Sequence, residues 1–137
     1  MSTDARTGLT VIDRDECLRL LAGDVVGRLA IVHGGAPVIL PVNYVVDGED
    51  IVIRTAEGTK LDAGPRAPAA FEIDGIDRTT RTGWSVVASG RLEEVTPYDS
   101  ATWERLTASG PEPWAAGAKE HWLRLVTTTI TGRRIEP

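Results

Sequence analysis

The sequence predicts a mainly β fold, a small antiparallel barrel of six or seven strands with two or three short flanking helices. Three observations carry it. Apolar, β-branched runs of strand length recur along the chain, most of them bounded by Gly, Pro, Asn or Asp. Few connections are long enough for parallel crossovers, so neighbouring strands pair as hairpins. A chain of 137 residues with 42% apolar content holds one core, and closing a sheet of that size removes its edges.

The elements follow in order within a single domain, residues 1–137. The opening "MSTDARTG" is polar, which predicts a flexible 1–10 segment and no signal peptide. "DRDECLRLLAG" reads as a short amphipathic helix, with Asp13 or Asp15 as N-cap, Cys17, Leu18, Leu20 and Leu21 as its apolar face, and Gly23 as its stop. Then the period changes. "VVGRLAIV" runs to the turn "HGGAP", "VILPVNYVV" runs to the Asp-Gly hairpin signal, and "IVIRTA" pairs back, so residues 25–56 read as a three-stranded meander. "RAPAAFEIDGID" and "TGWSVVASGRLEEV" read as the fourth and fifth strands, with Gly90 at a bulge or close backbone approach. "TPYDSATWERLTASG" returns to helical spacing, with Thr96 as cap, Pro97 at the first helical position, Trp103 and Leu106 on one side and Gly110 at the end. "PEPWAAGAKE" is a proline-stiffened loop, and the threonine-rich "HWLRLVTTTITGRRI" favours one or two last strands.

Composition excludes several classes. A net charge of −5 argues against nucleic acid and anionic membrane surfaces as partners. No apolar run is long enough to span a bilayer. The lone Cys17 cannot form an internal disulfide, which suits a reducing cytoplasm, and its leucine neighbours mark it as a small core residue. His33 and His121 stand in no metal-ligand spacing, so no metal site is expected. No Gly-x-Ser-x-Gly elbow is present, and Ser85 falls in a strand. Glu72 and Asp74 share a strand face at i, i+2, but acids beside "GID" read first as strand-terminating or loop-capping groups.

"RTAEGTKLD" is the stretch with the most chemistry. Arg54, Thr55, Thr59 and Lys60 each carry donors for phosphate oxygens, and Gly58 lets backbone approach closely. It is not a nucleotide-hydrolysing P-loop: the order is Gly58-Thr59-Lys60, no glycine stands five residues earlier, and Pro65 limits a following helix. The hairpin partner carries "LPVNY", where Pro41 interrupts pairing and frees backbone to meet a flat ligand. "GWSVV" adds an aromatic wall and a hydroxyl. A phosphate clamp beside a planar slot suits a phosphorylated aromatic cofactor.

Taken together, "GRLAI", "PVNYVVDGEDIVIRTAEGTKL", "AFEID", "GWSVVASGRLEEV" and "TGRRI" resemble the pyridoxamine 5'-phosphate oxidase-like flavin-binding split-barrel proteins, and most of all their small actinobacterial flavin/deazaflavin branch. The resemblance runs from Glu16 to Ile135. It implies a six-stranded antiparallel split β-barrel, a homodimer, and FMN at the subunit interface, with F420 or haem as the alternatives used by relatives. Position by position it implies that Pro41, Val42, Asn43 and Tyr44 lie against the flavin ring. Arg54, Thr55, Gly58, Thr59 and Lys60 would clamp the phosphate, and Trp84 and Ser85 would reach the cofactor. Trp122 and Arg133 would contribute from the second subunit, where Trp114 and Trp122 are candidate interface anchors. Gly58-Thr59-Lys60 carries one charge fewer than the Ser-Arg-Lys run of the true oxidase, and "GRRIEP" lacks that enzyme's substrate-binding Arg-His segment. Oxidation of pyridoxamine phosphate is therefore not the expected activity. The expectation is a flavin- or F420-dependent oxidoreductase of unassigned substrate. The alternatives are a non-catalytic carrier or sensor of a planar ligand and a barrel that has lost its cofactor.

Overall fold

The computed structural model describes residues 3, 8–55, 66–115, 117 and 121–136. The order is β1 (Thr10–Ile12), α1 (Arg14–Ala22), β2 (Val26–His33), β3 (Ala36–Asn43), β4 (Val45–Asp47), β5 (Asp50–Thr55), β6 (Pro68–Asp77), β7 (Thr82–Val95), α2 (Ser100–Ser109) and β8 (His121–Ile135). The mainly β, antiparallel architecture is as the sequence predicts. Among the described residues the six or seven expected strands become eight, because two three-residue strands, β1 and β4, join the sheet.

One sheet has the order β3-β2-β6-β7-β8-β5-β4, with β1 added beside β8. Its two ends, β3 and β4, are consecutive in the chain, separated only by Tyr44. The sheet therefore curls back on itself to form a split barrel. The expected 25–56 meander is thereby corrected: "VILPVNYVV" is not one strand but two, on opposite ends of the sheet. The break has a local cause. The Tyr44 backbone N–H makes the last rung of the β2–β3 ladder, donating to Val25 O at 3.1 Å. Its side chain turns inward, where the hydroxyl donates to the Leu21 carbonyl and the ring meets Phe71 edge-on at 4.6 Å. Burying two such rings contributes roughly 1.5–3 kcal/mol each.

The core lies inside the curl. Leu29, Ile31, Phe71, Ile73, Val86, Ala88 and Leu125 alternate with outward residues along β2, β6, β7 and β8. α1 closes one side with Cys17 and Leu21, both fully buried, so the lone cysteine is a core residue as its neighbours suggest. Asp13 is the N-cap, accepting from Glu16 N at 2.9 Å. A smaller cluster of Val52, Val95, Leu106 and Trp122 sits under α2, with Trp103 packed on it. That helix begins at Ser100, not at Pro97. Thr96 O instead accepts from Asp99 N at 3.1 Å, so residues 96–99 form a turn before the first helical bond, Trp103 N to Asp99 O. The β7–β8 register shifts between Ser89 and Gly90, where a Cβ would collide with the Val126 carbonyl, so the bulge expected at Gly90 is present. Among the described residues no helix is long and apolar enough to cross a membrane.

Candidate functional site

Strand alternation decides what the outer face carries. Leu29, Phe71 and Ala88 point inward, so their neighbours Arg28, Glu72 and Val87 point out. Pro41 pairs with Arg28, and Arg28 with Glu72. One step along the same face, Asp74 pairs with Ser85, and Ser85 with Arg133. A polar band thus crosses five strands, from β3 to β8.

Two clefts stand on this framework. The first, of about 150 Å³, is lined by Pro41, Val42, Asn43, Arg54, Thr55 and the proline segment from Pro111 to Ala115. Arg54 is held rigidly there: its Nη1 donates to Pro111 O at 3.4 Å and its guanidinium stacks 4.9 Å from the Trp122 ring centroid. Asn43 ties the walls together. Its Nδ2 donates to Val25 O at 3.2 Å, and its Oδ1 accepts from Trp114 N at 2.8 Å. The arrangement presents a fixed cation in a narrow polar mouth, at the point where the chain enters residues 56–65.

The second cleft, of about 500 Å³, lies at the far ends of β6, β7 and β8. Glu72, Asp74, Ser85 and Arg133 line it, Ile76 and Ile135 supply apolar wall, and Trp84 borders it while its indole points to the opposite face of the sheet. Trp84 lies over Gly75, whose missing side chain leaves room for the indole. The Arg28 Nη1 stands 3.5 Å from Glu72 Oε1 and 3.6 Å from Asp74 Oδ2. Burial, then the hydrogen bond and charge of neighbouring Asp74, push the Glu72 carboxyl up to about 7 against the pull of Arg28. That volume lies within the roughly 300–1,000 Å³ typical of small-molecule sites.

The expected binding residues therefore fall into separate groups. Pro41, Val42, Asn43, Arg54 and Thr55 come together in the narrow cleft, and Ser85 and Arg133 in the wide one, whereas Trp84 borders that cleft but turns its indole to the opposite face, over Gly75. Tyr44 is 1% exposed and belongs to the core, because it alternates with Asn43. Trp122 is 6% exposed, buried under its own α2, so it supports Arg54 from below and is not an exposed anchor for a second chain. Trp114 is 73% exposed. Gly58, Thr59 and Lys60 lie outside the described residues. Sequence reasoning missed Arg28 and the role of Pro111. A lone arginine in the apolar run "VVGRLAIV" was the available signal, but only the β2–β6 register shows that it faces two carboxyl groups.

A family model described as pyridoxamine 5'-phosphate oxidase matches residues 13–134. An uncharacterized protein of Mycobacterium tuberculosis is 35% identical over 131 residues, covering 90% of this chain and 84% of that protein. The FAD binding protein from Mycobacterium smegmatis superposes with a TM-score of 0.79 at 36% identity, covering 93% of this chain and 99% of that one. A conserved protein of unknown function from Corynebacterium diphtheriae superposes with a TM-score of 0.74 at 30% identity, covering 91% and 96% of the two chains.

Proposed function

Because the chain belongs to the pyridoxamine 5'-phosphate oxidase family, we propose that it binds a flavin and serves as a small flavin-dependent oxidoreductase. The observation that carries this reading is the narrow cleft. It gathers Arg54 and Thr55 with Pro41, Val42 and Asn43 beside the segment that carries Gly58, Thr59 and Lys60. A cation stacked on Trp122 and tied to Pro111 is ordered before any ligand arrives, which lowers the entropic cost of holding a phosphate. FMN is the flavin expected from the sequence. The likeness to the FAD binding protein of M. smegmatis makes FAD an equal candidate.

A bound flavin supplies hydride chemistry at its N5. The chain supplies orientation and charge: Arg54 and Thr55 at the phosphate, Ser85 and Arg133 as donors toward a ring edge, and Ile76 and Ile135 as apolar wall. The two clefts share no lining residue, which favours a homodimer in which one copy's narrow cleft meets the other's wide one. Exposed Ile39, Ile76, Ile135 and Trp114 offer apolar surface for that contact. The reading places the protein in the cytoplasm, where the buried Cys17 stays a thiol.

Gel filtration of purified protein with excess FMN, FAD or F420, read by visible absorption, tests the reading. Flavin retained on a dimer peak and reduced by NADH, NADPH or reduced F420 is the expected result. Retention without reduction by any donor would mean a carrier. No retention of any of the three would overturn flavin binding and leave haem or an empty barrel.

A further inference from the structure

The narrow cleft is smaller than the ligand its cation invites. Its space of about 150 Å³ falls short of the roughly 300–1,000 Å³ usual for small-molecule sites. A phosphate group can enter such a space, but an organic body attached to it cannot follow. Two of the three walls are fixed. Pro41, Val42 and Asn43 belong to β3, laddered to β2, and Arg54 and Thr55 belong to β5, laddered to β8. The third wall, from Pro111 to Ala115, lies outside every described strand and helix.

This third wall is built as a strap. Pro111 and Pro113 stiffen it. Gly110 and Gly117 bound it, at φ +98° and +106°, where L side chains are rarely found. A Cβ at Gly117 would meet nothing within 4 Å, so the backbone conformation, not crowding, calls for glycine there. A stiff segment between two permissive joints can swing as a unit. Burial holds it only at its root: Pro111 is buried, while Glu112, Trp114 and Ala115 are exposed. Two hydrogen bonds latch it to the sheet. Trp114 N donates to Asn43 Oδ1 at 2.8 Å, and Arg54 Nη1 donates to Pro111 O at 3.4 Å. Both latching side chains also line the cleft. The Arg54 bond is longer than the about 2.7–3.2 Å of a good N–H···O contact. A phosphate oxygen, which takes a shorter and charge-assisted bond, therefore competes well for that guanidinium. Stacking on Trp122 keeps the guanidinium in place while its acceptor changes.

We propose that residues 111–115 form a gate over the narrow cleft, hinged at Gly110 and Gly117 and latched by Asn43 and Arg54, which opens when a phosphorylated ligand larger than the cleft takes Arg54 from the Pro111 carbonyl. The identity of that ligand rests on the flavin reading; the opening itself does not.

Amide hydrogen exchange of the full-length protein, read by NMR at the Trp114 N–H, tests the gate. Without ligand, Trp114 should exchange through local opening, at a rate that low denaturant leaves unchanged, while the amides of β7 follow global unfolding. Gly117→Ala strains the closed strap without a clash and alters no wall of the cleft, so it should speed Trp114 exchange roughly tenfold. FMN, its retention checked by visible absorption after gel filtration, should speed that exchange at least as much. Riboflavin, which lacks the phosphate, should leave it unchanged. Trp114 exchange that rises with denaturant in step with β7 would make the strap part of the rigid fold and overturn the inference. So would an unchanged rate in Gly117→Ala, or retained FMN that slows Trp114 exchange or leaves it as it was. Protein that retains no FMN fails the flavin reading alone, and the gate is then decided by the denaturant dependence and by Gly117→Ala.

Discussion

Arg54 shows how one side chain carries several constraints. It is placed by pairing of β5 with β8, stacked on Trp122 and tied to Pro111. If it clamps a flavin phosphate, Arg54→Ala weakens flavin binding by tenfold or more, since a charge-assisted hydrogen bond contributes about 1.5–3 kcal/mol. Arg54→Lys keeps the charge but loses the planar stack, and it recovers only part of that loss. Unchanged affinity in a fluorescence titration of Arg54→Ala would remove it from the site. Glu72 gives a second prediction at this scale. A carboxyl raised in the folded state contributes stability that is complete below its ordinary value of 4.5 and is lost as pH rises through about 7. Glu72→Gln should therefore flatten stability against pH across that window and unfold at higher temperature than the parent at pH 8. The side chain is a third exposed, so screening limits the effect to about 1 kcal/mol. Parallel melting curves at all pH values would show that the group titrates alike in both states.

At the scale of elements, α2 is held by charge as much as by its apolar face. Arg105 donates to both Asp47 oxygens, at 3.0 and 2.9 Å, and Arg124 bridges Asp47, Asp50 and Glu93 from below. The Arg105 hydrogen bond holds the Asp47 carboxyl below its ordinary range, so this contribution is present above that range and is lost on acidification through it. Asp47→Asn should cost about 1–2 kcal/mol and speed amide exchange in residues 100–109 more than in β7. Uniform exchange would mean the helix is fixed by Leu106 and Trp103 alone. Legibility also divides at this scale. β6 and β7 were readable from alternation and flanking turn residues, and the bulge from Gly90. The break at Tyr44 was not, because "VILPVNYVV" carries no glycine or Asp-Gly turn signal, and only the burial of the Tyr44 ring against Phe71 and its hydroxyl bond to Leu21 O explain the change of direction. The start of α2 was missed for a similar reason: the Thr96-Pro97 signal is used one turn earlier. Half of the narrow cleft was legible from cations and a strand proline, while its far wall, Pro111 to Ala115, needed tertiary contacts that local pattern does not encode.

For the whole molecule, the question is whether one chain holds a complete site. The curl of the sheet puts β3 and β5 in contact near the narrow cleft and leaves the wide cleft at the far ends of β6, β7 and β8. A planar cofactor joining residues of both clefts is most simply accommodated by two copies facing each other, each giving one cleft to the shared site. Complementation tests this directly. Arg54→Ala and Arg133→Ala proteins should each retain little flavin. After subunit exchange, half of the dimers contain one copy of each, and one of the two sites in those dimers has both arginines. Mixing should therefore restore about a quarter of the parental flavin content, read by absorption of the dimer peak after gel filtration. If each site lies within a single chain, no mixture contains an intact one and flavin content stays at the level of the separate variants. A quarter restored assigns the two clefts to opposite faces of one cofactor, and none restored returns both arginines to the same copy.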